Sequence, residues 1–306
     1  MPANEEAVFR EKLRTLRRWG RWGDKDQAGA LNLVTADKIL QAVSLVRLGR
    51  VISLSRDFPV TPAPNNPNPA EHYLRKRTRG SHGEGSVTDY IGINCHGKAA
   101  THIDALCHVW NHDGMWNGRD PLREVTGEGV RWGGVEHFGD GIITRGVLLD
   151  VAAHRPAGYV DRGEPVTGAE LAKVAAAADL EPGDAIVIHS GRDAWDRVHD
   201  RPWGSPEPDG SYDLPGLDVS CLEFFYEADC GLVVWDMMDT VPNDFGVPHT
   251  THAAIFSQGI PLLDNAALEG VATLCRESGR SEFMLCVAPL KIVGGTGSPV
   301  NPLALF

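Results

Sequence analysis

The sequence predicts an α/β fold built on a mixed β-sheet. Apolar, strand-like segments at 146–151, 185–188 and 232–236 alternate with helical patterns, a spacing typical of parallel strands joined through helices. The first half of the chain carries more strand-like segments and long loops, which favours a mixed sheet over a regular doubly wound one. A chain of 306 residues with 42% hydrophobic content can bury a full core, and we expect one domain over residues 1–306.

The helices are predicted from apolar periodicity and from capping residues. Thr35 is a candidate N-cap for a helix with one apolar stripe, formed by Ile39, Leu40, Val43 and Val46. Thr167 and Ser220 each stand three residues before a Glu, the spacing of a capping box. The predicted helices are 5–18, 36–47, 168–178, 221–229, 249–258 and 266–276, and the predicted strands are 51–54, 90–94, 146–151, 185–188, 232–236, 260–264 and 281–292.

Two segments lie outside this alternation. Residues 1–30 form a predicted N-terminal helical extension, whose two tryptophans, Trp19 and Trp22, anchor the core or form an aromatic substrate wall. Residues 59–72 hold five prolines and are predicted to be a loop, because proline lacks an N–H and disrupts helices and central strands. A loop this long inside a domain is either mobile or functional, for instance a lid or an arm onto a neighbouring subunit.

Composition restricts the partners and the compartment. Lys and Arg number 29 against 41 Asp and Glu, a net charge of −12, which argues against nucleic acid and anionic membrane because both are polyanions. No window approaches 18 consecutive apolar residues, so no membrane span is expected. The six cysteines include no C-x-x-C pair, and residues 1–20 have no apolar run of a secretory signal. We therefore expect free thiols in the cytoplasm and a small-molecule substrate as the partner.

A dense group of metal-binding side chains stands in the middle of the chain. His102, Asp104 and His108 fall within seven residues. Alternate residues of an extended strand share a face, so His102 and Asp104 point to the same side, and His108 has the same parity. Imidazole nitrogen with carboxylate oxygen suits zinc, manganese or iron. The alternative interpretation is a hydrogen-bonded core histidine beside an ordinary His–Asp pair.

The sequence THIDALCH at 101–108 resembles the H-x-G-T-H-x-D-x-P-x-H pattern of the cyclase family of metal-dependent hydrolases, which includes bacterial kynurenine formamidase and isatin hydrolase. Segments 214–218, 288–291 and 295–302 follow in the family's order, and the chain length and N-terminal WGRWGD are similar to a long-chain branch. The resemblance implies a swivelling β/β/α-type single domain with a mixed sheet, assembled as a homodimer or homotetramer. It also implies hydrolysis of an amide or lactone bond at one or two divalent metals.

For the site, the resemblance implies zinc or manganese held by four residues: His102, Asp104, His252 and Asp264. His108 matches the last histidine of the motif, which serves as catalytic acid/base or as ligand to a second metal, and we expect the catalytic role. His249 competes with His252, because both would face the site from one helix. The twelve residues between His252 and Asp264 match the family and favour His252.

Two departures from the pattern bear on the number of metal ions. Lys98 stands at the motif's first histidine, and an ammonium group does not bind metal. Leu106 replaces the motif's proline. His96 shares strand parity with His102 and could substitute for the missing histidine, and Lys98 could supply a fixed positive charge near the reacting oxygen.

Three function classes follow from this sequence. The first is a hydrolase that cleaves an amide or lactone of a small cyclic or aromatic substrate with metal-activated water. The second is a metal-dependent polyketide-type cyclase or dehydratase that enolises a carbonyl. The third is a binding protein that keeps the fold and has lost the metal through Lys98. Metal analysis separates the third class from the others, and product analysis separates the first from the second.

Overall fold

The computed structural model describes residues 3–80 and 83–306, so the first two residues of the predicted extension lie outside it. The α-helices are α1 Ala3–Thr15, α2 Ala36–Ser44, α3 Pro121–Glu124, α4 Gly168–Ala175, α5 Arg192–Val198, α6 Cys221–Glu227, α7 Ala254–Gln258 and α8 Glu269–Ser278. The 3₁₀ turns are Gly29–Leu33, Trp116–Gly118, Val135–Phe138, Ala152–His154 and Thr251–Ala253. The strands are β1 Val51–Ser53, β2 Glu71–Arg79, β3 Glu84–Gly92, β4 His102–Asp104, β5 Val125–Thr126, β6 Gly129–Val130, β7 Ile142–Asp150, β8 Ala185–His189, β9 Leu232–Trp235, β10 Leu262–Asp264, β11 Glu282–Val287, β12 Gly297–Pro299 and β13 Leu303–Leu305.

Nine strands form one mixed sheet in the order β1-β13-β11-β7-β8-β9-β10-β4-β12. The four central strands, β7 to β10, run parallel, and the neighbours on both sides are antiparallel. Strands β8 and β9 are buried at every residue, which explains their continuous apolar sequences. The α/β fold with a mixed sheet is confirmed, while the extent of the domain over residues 1–306 stays a prediction.

The caps confirm two of the three predicted helix starts. The side chains of Thr35 and Thr167 each accept a hydrogen bond from the backbone N–H three residues further on. The capping box at Ser220 is wrong, since Ser220 itself has helical angles (φ −63°, ψ −19°). Its hydroxyl instead accepts a hydrogen bond from the N–H of Gly168, which ties the starts of α4 and α6 together.

Helix α2 presents its apolar stripe to solvent. Leu40 is 66% exposed and Val43 50% exposed, whereas Lys38 and Ala42 are buried. The Lys38 ammonium lies 2.8 Å from Glu181 and 3.0 Å from Asp184. Lys38 and its ion pairs lie on the buried face of α2. Periodicity alone predicts that this lysine is exposed.

Two predicted elements are shorter than the sequence indicated. The closing strand β11 ends at Val287 instead of residue 292, because Pro289 has no N–H to donate to a neighbouring strand. The helix predicted over 249–258 begins only at the 3₁₀ turn Thr251–Ala253. The Asp239 carboxylate accepts the first free N–H groups of that turn, so His249 lies before it.

Strands β2 and β3 form a separate two-stranded hairpin. The sequence predicted only a strand over 90–94, which overlaps the end of β3 and extends two residues beyond it. Every residue of β2 and all of β3 except Gly92 are exposed. Neither face carries the buried alternation by which a strand is recognised, which is why the hairpin was missed. The described residues contain no helix long and apolar enough to cross a bilayer.

Candidate metal centre

Strand register brings three predicted ligands onto one face. In the antiparallel pair of β4 and β10, His102 lies opposite Asp264. Opposed residues share a face, and so do residues two apart, so Asp104 joins them. Strand β12 pairs with the other edge of β4 and encloses it. All three side chains are buried.

The His102 imidazole is oriented by the main chain. Its Nδ1–H donates to the carbonyl oxygen of Ala100 over 2.9 Å, so Nε2 is the nitrogen that faces the site. Nε2 is 3.3 Å from Oδ1 of Asp104 and 3.7 Å from Oδ2 of Asp264. His102 therefore directs Nε2 at both carboxylates.

The His252 imidazole is oriented by Asp239. Its Nδ1 contacts the Asp239 carboxylate on one side of the ring. On the other side, Nε2 lies 3.2 Å from Oδ2 of Asp264 and 3.9 Å from Oδ2 of Asp104. Metal-binding histidines characteristically donate their second N–H to a carbonyl or a carboxylate, and both His102 and His252 have such a partner.

His96 and His108 approach Asp104 from the open side. Their rings stack with centroids 3.8 Å apart. Nδ1 of His96 lies 2.9 Å from Oδ1 of Asp104, its Nε2 lies 2.9 Å from the Thr296 hydroxyl, and Nε2 of His108 lies 3.7 Å from Oδ2 of Asp104. A Cβ at Gly297 would stand 2.7 Å from Cε1 of His96, so only glycine leaves room for this ring.

Burial and neighbouring charge set the pKa values of these groups. Burial alone would lower the pKa of His102, but the carboxylates of Asp104 and Asp264 outweigh it and raise the pKa to about 9. Burial would likewise raise the pKa of Asp104, yet His102 and His96 hold it well below its usual range. For His108, burial prevails over the charge of Asp104 and lowers the pKa to about 4. His108 is therefore neutral at neutral pH.

The comparison with known families agrees with this geometry. A family model described as "Putative cyclase" matches residues 46–241, which is more than half of the chain. The chain belongs to the Cyclase family. No curated protein matches it.

Solved structures with the same fold extend the comparison. A crystal structure described as a novel cyclase is 27% identical and covers 96% of this chain and 99% of its own, with a TM-score of 0.82. Isatin hydrolase A from Labrenzia aggregata, bound to benzyl benzoate, is 19% identical over 87% of this chain and 98% of its own, with a TM-score of 0.60. A protein from Bacillus stearothermophilus described as a predicted metal-dependent hydrolase is 16% identical over 83% of this chain and 97% of its own, with a TM-score of 0.52. The latter two likenesses show the fold alone.

The donor set of this cyclase-family chain fits a divalent cation. Both carboxylate oxygens of Asp104 are buried and accept no hydrogen bond within the described part of the chain, although His96 and His102 stand beside them. A buried carboxylate without donors is costly unless a cation compensates it. His96, His102 and Asp104 hold one ligand atom each within 4.8 Å of one another, and so do Asp104, His252 and Asp264. The two groups share Asp104, so these residues fit one ion or two.

A cavity of about 430 Å³ opens beside these ligands. His102, His108, His252 and Asp264 line one side. The remaining wall is largely apolar and consists of Gly97, Trp203, Tyr212, Leu214, Met238, Val241, Val247 and Pro248, with Lys98, Asp239, Asn243 and His249 between them. The two tryptophans of the predicted extension, Trp19 and Trp22, pack against the core instead of lining this cavity.

The structure brings all five predicted site residues together and adds His96 and Asp239, to which the sequence assigned no definite role. His252 is the histidine that faces Asp104 and Asp264, while His249 lies at the cavity wall with its ring centroid 5.6 Å from that of His252. His96 joins the group, as one interpretation of its strand parity allowed. Asp239 was missed. It lies four residues after a strand, and nothing in the sequence around it indicates which histidine it contacts.

Proposed function

We propose that this cyclase-family chain is a metal-dependent hydrolase that cleaves an amide or lactone bond of a small cyclic or aromatic substrate. The observation that carries the proposal is that Nε2 of both His102 and His252 lies within 3.9 Å of Asp104 and of Asp264, with both oxygens of Asp104 buried and without hydrogen-bond donors in the described residues. These four residues would hold the ion, for which we propose zinc or manganese.

A bound divalent cation lowers the pKa of water from 15.7 to about 7 and polarises a carbonyl oxygen. The chain's own contribution is to fix the ligands before the substrate arrives. The Ala100 carbonyl and the Asp239 carboxylate fix the rings of His102 and His252, so that neither imidazole has to reorient. Such preorganisation is the main way in which a protein lowers the barrier at a metal site.

His108 is the proposed proton carrier. It lines the cavity, its Nε2 lies 3.7 Å from Asp104, and its imidazole is neutral at neutral pH. A proton taken from water at Nε2 can pass to the leaving nitrogen or oxygen when the bond breaks. The stacked His96 ring restricts the orientation of His108 and keeps Nε2 directed at the site.

The apolar wall of the cavity supports a ring-bearing substrate. A volume of about 430 Å³ accommodates a small molecule, and Trp203, Leu214 and Val241 offer apolar surface opposite the ligands. The buried Trp203 is fixed by a hydrogen bond of 2.9 Å from Nε1 to the Pro215 carbonyl, so its ring is a rigid surface.

The test is a substrate screen on protein stripped by a chelator and then reconstituted with zinc or manganese. Formyl-anilides, isatin-like lactams and lactones are offered to both forms. The proposal expects ring opening or deformylation, with uptake of one water, by the reconstituted form only. Ring closure or dehydration without water uptake would instead identify a polyketide-type cyclase. A protein that binds no metal under any condition would be a binding homologue.

We also propose that the chain assembles as a homodimer or homotetramer through the hairpin of β2 and β3. One face of the hairpin exposes three apolar side chains, which by register are Leu74, Val87 and Ile91. The other face exposes the stacked Tyr73–Tyr90 pair and a basic row made of Arg75, Arg77 and Arg79. A second copy of a chain with net charge −12 offers the acidic surface that this row attracts.

We propose a cytoplasmic location on the evidence of the thiols. All six cysteines are free, and Cys107, Cys221, Cys230 and Cys275 are buried. Quantitative alkylation of the denatured protein taken directly from cells should modify every one of them. Protected thiols would indicate disulfides formed in an oxidising compartment.

A further inference from the structure

Lys98 places a positive charge in the wall of the metal-side cavity. It lines that cavity together with His102, His108, His252 and Asp264. Its Nζ lies 3.3 Å above the ring centroid of Tyr212, a cation–π contact. Within residues 3–80 and 83–306, no carboxylate oxygen comes within 4.0 Å of this nitrogen.

The absence of a counter-charge sets Lys98 apart from three arginines elsewhere in the chain. Arg192 lies 3.7 Å from Asp196, Arg162 lies 2.7 Å from Glu207, and Arg56 lies 2.6 Å from Asp193. The half-buried Lys98 ammonium contacts an aromatic face, which leaves N–H donors without a hydrogen-bond acceptor. An anion would accept those hydrogen bonds better than an aromatic ring does. Nζ is also more than 4 Å from the carboxylates of Asp104 and Asp264, so it does not take the place of a metal ion.

The fold holds Lys98 in this position. Its carbonyl oxygen accepts a hydrogen bond of 2.7 Å from Nη2 of Arg192, a buried guanidinium that also donates to Asn265. Its aliphatic stem lies over Gly204, where a Cβ would stand 2.6 Å from Cβ of Lys98. Gly204 has φ +86°, a left-handed conformation that favours glycine. Both the backbone conformation and the contact with Lys98 therefore require glycine at this position. Lys98 is therefore a fixed group of the cavity and not a surface lysine that happens to lie across it.

We propose that Lys98 is a specificity-determining residue that binds an anionic group of the substrate, a carboxylate on the ring-bearing molecule whose amide or lactone bond is cleaved. The bond that is cleaved, an amide or lactone, rests on the proposed function. The anionic group of the substrate rests on the unpaired ammonium of Lys98. The substrate class is then an aromatic amide, lactam or lactone that carries a carboxylate. Tyr212 lies against the ammonium and supplies a surface for the ring.

The experiment measures binding without turnover. Calorimetry compares 2-aminobenzoate with uncharged 2-aminobenzamide on the chelator-treated protein, in which the amide is not hydrolysed and no metal ion competes with Lys98 for the carboxylate. Wild type should bind the carboxylate roughly 10- to 100-fold more tightly than the amide, the range of a hydrogen bond to a charged group. Lys98→Met should lose that preference while its affinity for the amide stays within threefold, and Lys98→Arg should retain it in part.

Two controls keep the inference separable from folding and from the proposed function. Lys291→Met removes an exposed ammonium that pairs with Asp140 and should leave the preference unchanged. Equal thermal melts show that each variant is folded. A Lys98→Met protein that keeps the preference for the carboxylate, or a wild type without one, overturns the inference. Because this experiment measures binding, its result is independent of the substrate screen. Wild type can lack the preference for the carboxylate and still hydrolyse a substrate, or show the preference and hydrolyse none.

Discussion

The Asp239 carboxylate contacts Nδ1 of His252 on the side of the ring opposite Asp104 and Asp264. It also accepts the backbone N–H groups of Thr251 and His252, so one side chain fixes both the turn and the imidazole. Asp239 therefore determines where Nε2 of His252 points.

Asp239→Asn should lower metal affinity about 10- to 100-fold, the usual effect of removing a hydrogen-bond partner of a metal-binding histidine. The amide keeps the shape but loses the charge that holds the Nδ1 proton. Competition with a chromogenic chelator measures the affinity. Asp244→Asn, at an exposed position five residues further on, is the control and should change nothing. An Asp239→Asn protein with wild-type affinity would exclude this role for Asp239.

His108→Ala should retain its metal and lose turnover by about 10²- to 10⁴-fold, since removal of a general acid/base has that effect. His108 lines the cavity, and its ring stacks on His96, which is not one of the four proposed ligands. Metal content and kcat are measured on the same preparation. His112→Ala, whose side chain is 77% exposed, serves as the control. Unchanged turnover would remove His108 from the mechanism, and loss of metal would make it a ligand.

Three arginines of α1 and the segment behind it converge on Asp113, and their ion pairs should make stability depend on pH. Arg14, Arg17 and Arg10 lie 3.2, 2.6 and 3.2 Å from its carboxylate and lower its pKa. An aspartate whose pKa is lower in the folded than in the unfolded protein stabilises the fold at pH values above its unfolded pKa, about 3.9. That stabilisation is lost as the pH falls from there toward the folded pKa.

Asp113→Asn should therefore lower the free energy of unfolding at pH 7 by about 1–2 kcal/mol, a value kept small because the arginines are partly exposed. The difference from wild type should shrink as the pH falls below about 4, where Asp113 of the unfolded chain begins to bind a proton that the folded protein does not yet bind. Urea unfolding at pH 7 and pH 3 measures both quantities. Asp140→Asn, which removes one fully exposed partner of Lys291, should stay within about 0.5 kcal/mol of wild type at both pH values. A pH-independent difference would contradict the ion-pair explanation.

The double variant Leu74→Ser/Ile91→Ser should weaken self-association about tenfold or more, because each leucine or isoleucine loses roughly 1.5–3 kcal/mol of burial at the proposed interface. Both side chains are more than 60% exposed in one chain, so the fold should be unaffected. Sedimentation equilibrium measures the dissociation constant. Leu122→Ser, at a position that is 91% exposed elsewhere on the surface, is the control. A monomeric wild type, or an unchanged constant in the double variant, would show that the hairpin is not the interface.

The centre of the sheet and half of the site could be predicted from the sequence because the signals there are local. Strand parity alone placed His102 beside Asp104, and continuous apolar runs located β8 and β9. His252 and Asp264 needed the family pattern, since their distance to β4 depends on strand order and on the register that sets Asp264 opposite His102.

Other features depend on tertiary contacts that no local pattern records. The contact of Asp239 with His252, the inward Lys38 of α2 and the exposed hairpin of β2 and β3 were all missed for this reason. Lys98 was recognised as a departure from the family pattern, but its position over Tyr212 required the structure.

Metal stoichiometry is the most direct test of the claim that His102, Asp104, His252 and Asp264 hold one centre. Plasma mass spectrometry on wild type and on Asp104→Ala, each stripped and reconstituted with zinc or manganese, gives the ions per folded chain. The geometry predicts about one or two tightly bound ions for wild type and a nearly complete loss in the variant. An Asp104→Ala protein that retains the full complement of metal, or a fully active wild type that contains none, would contradict it.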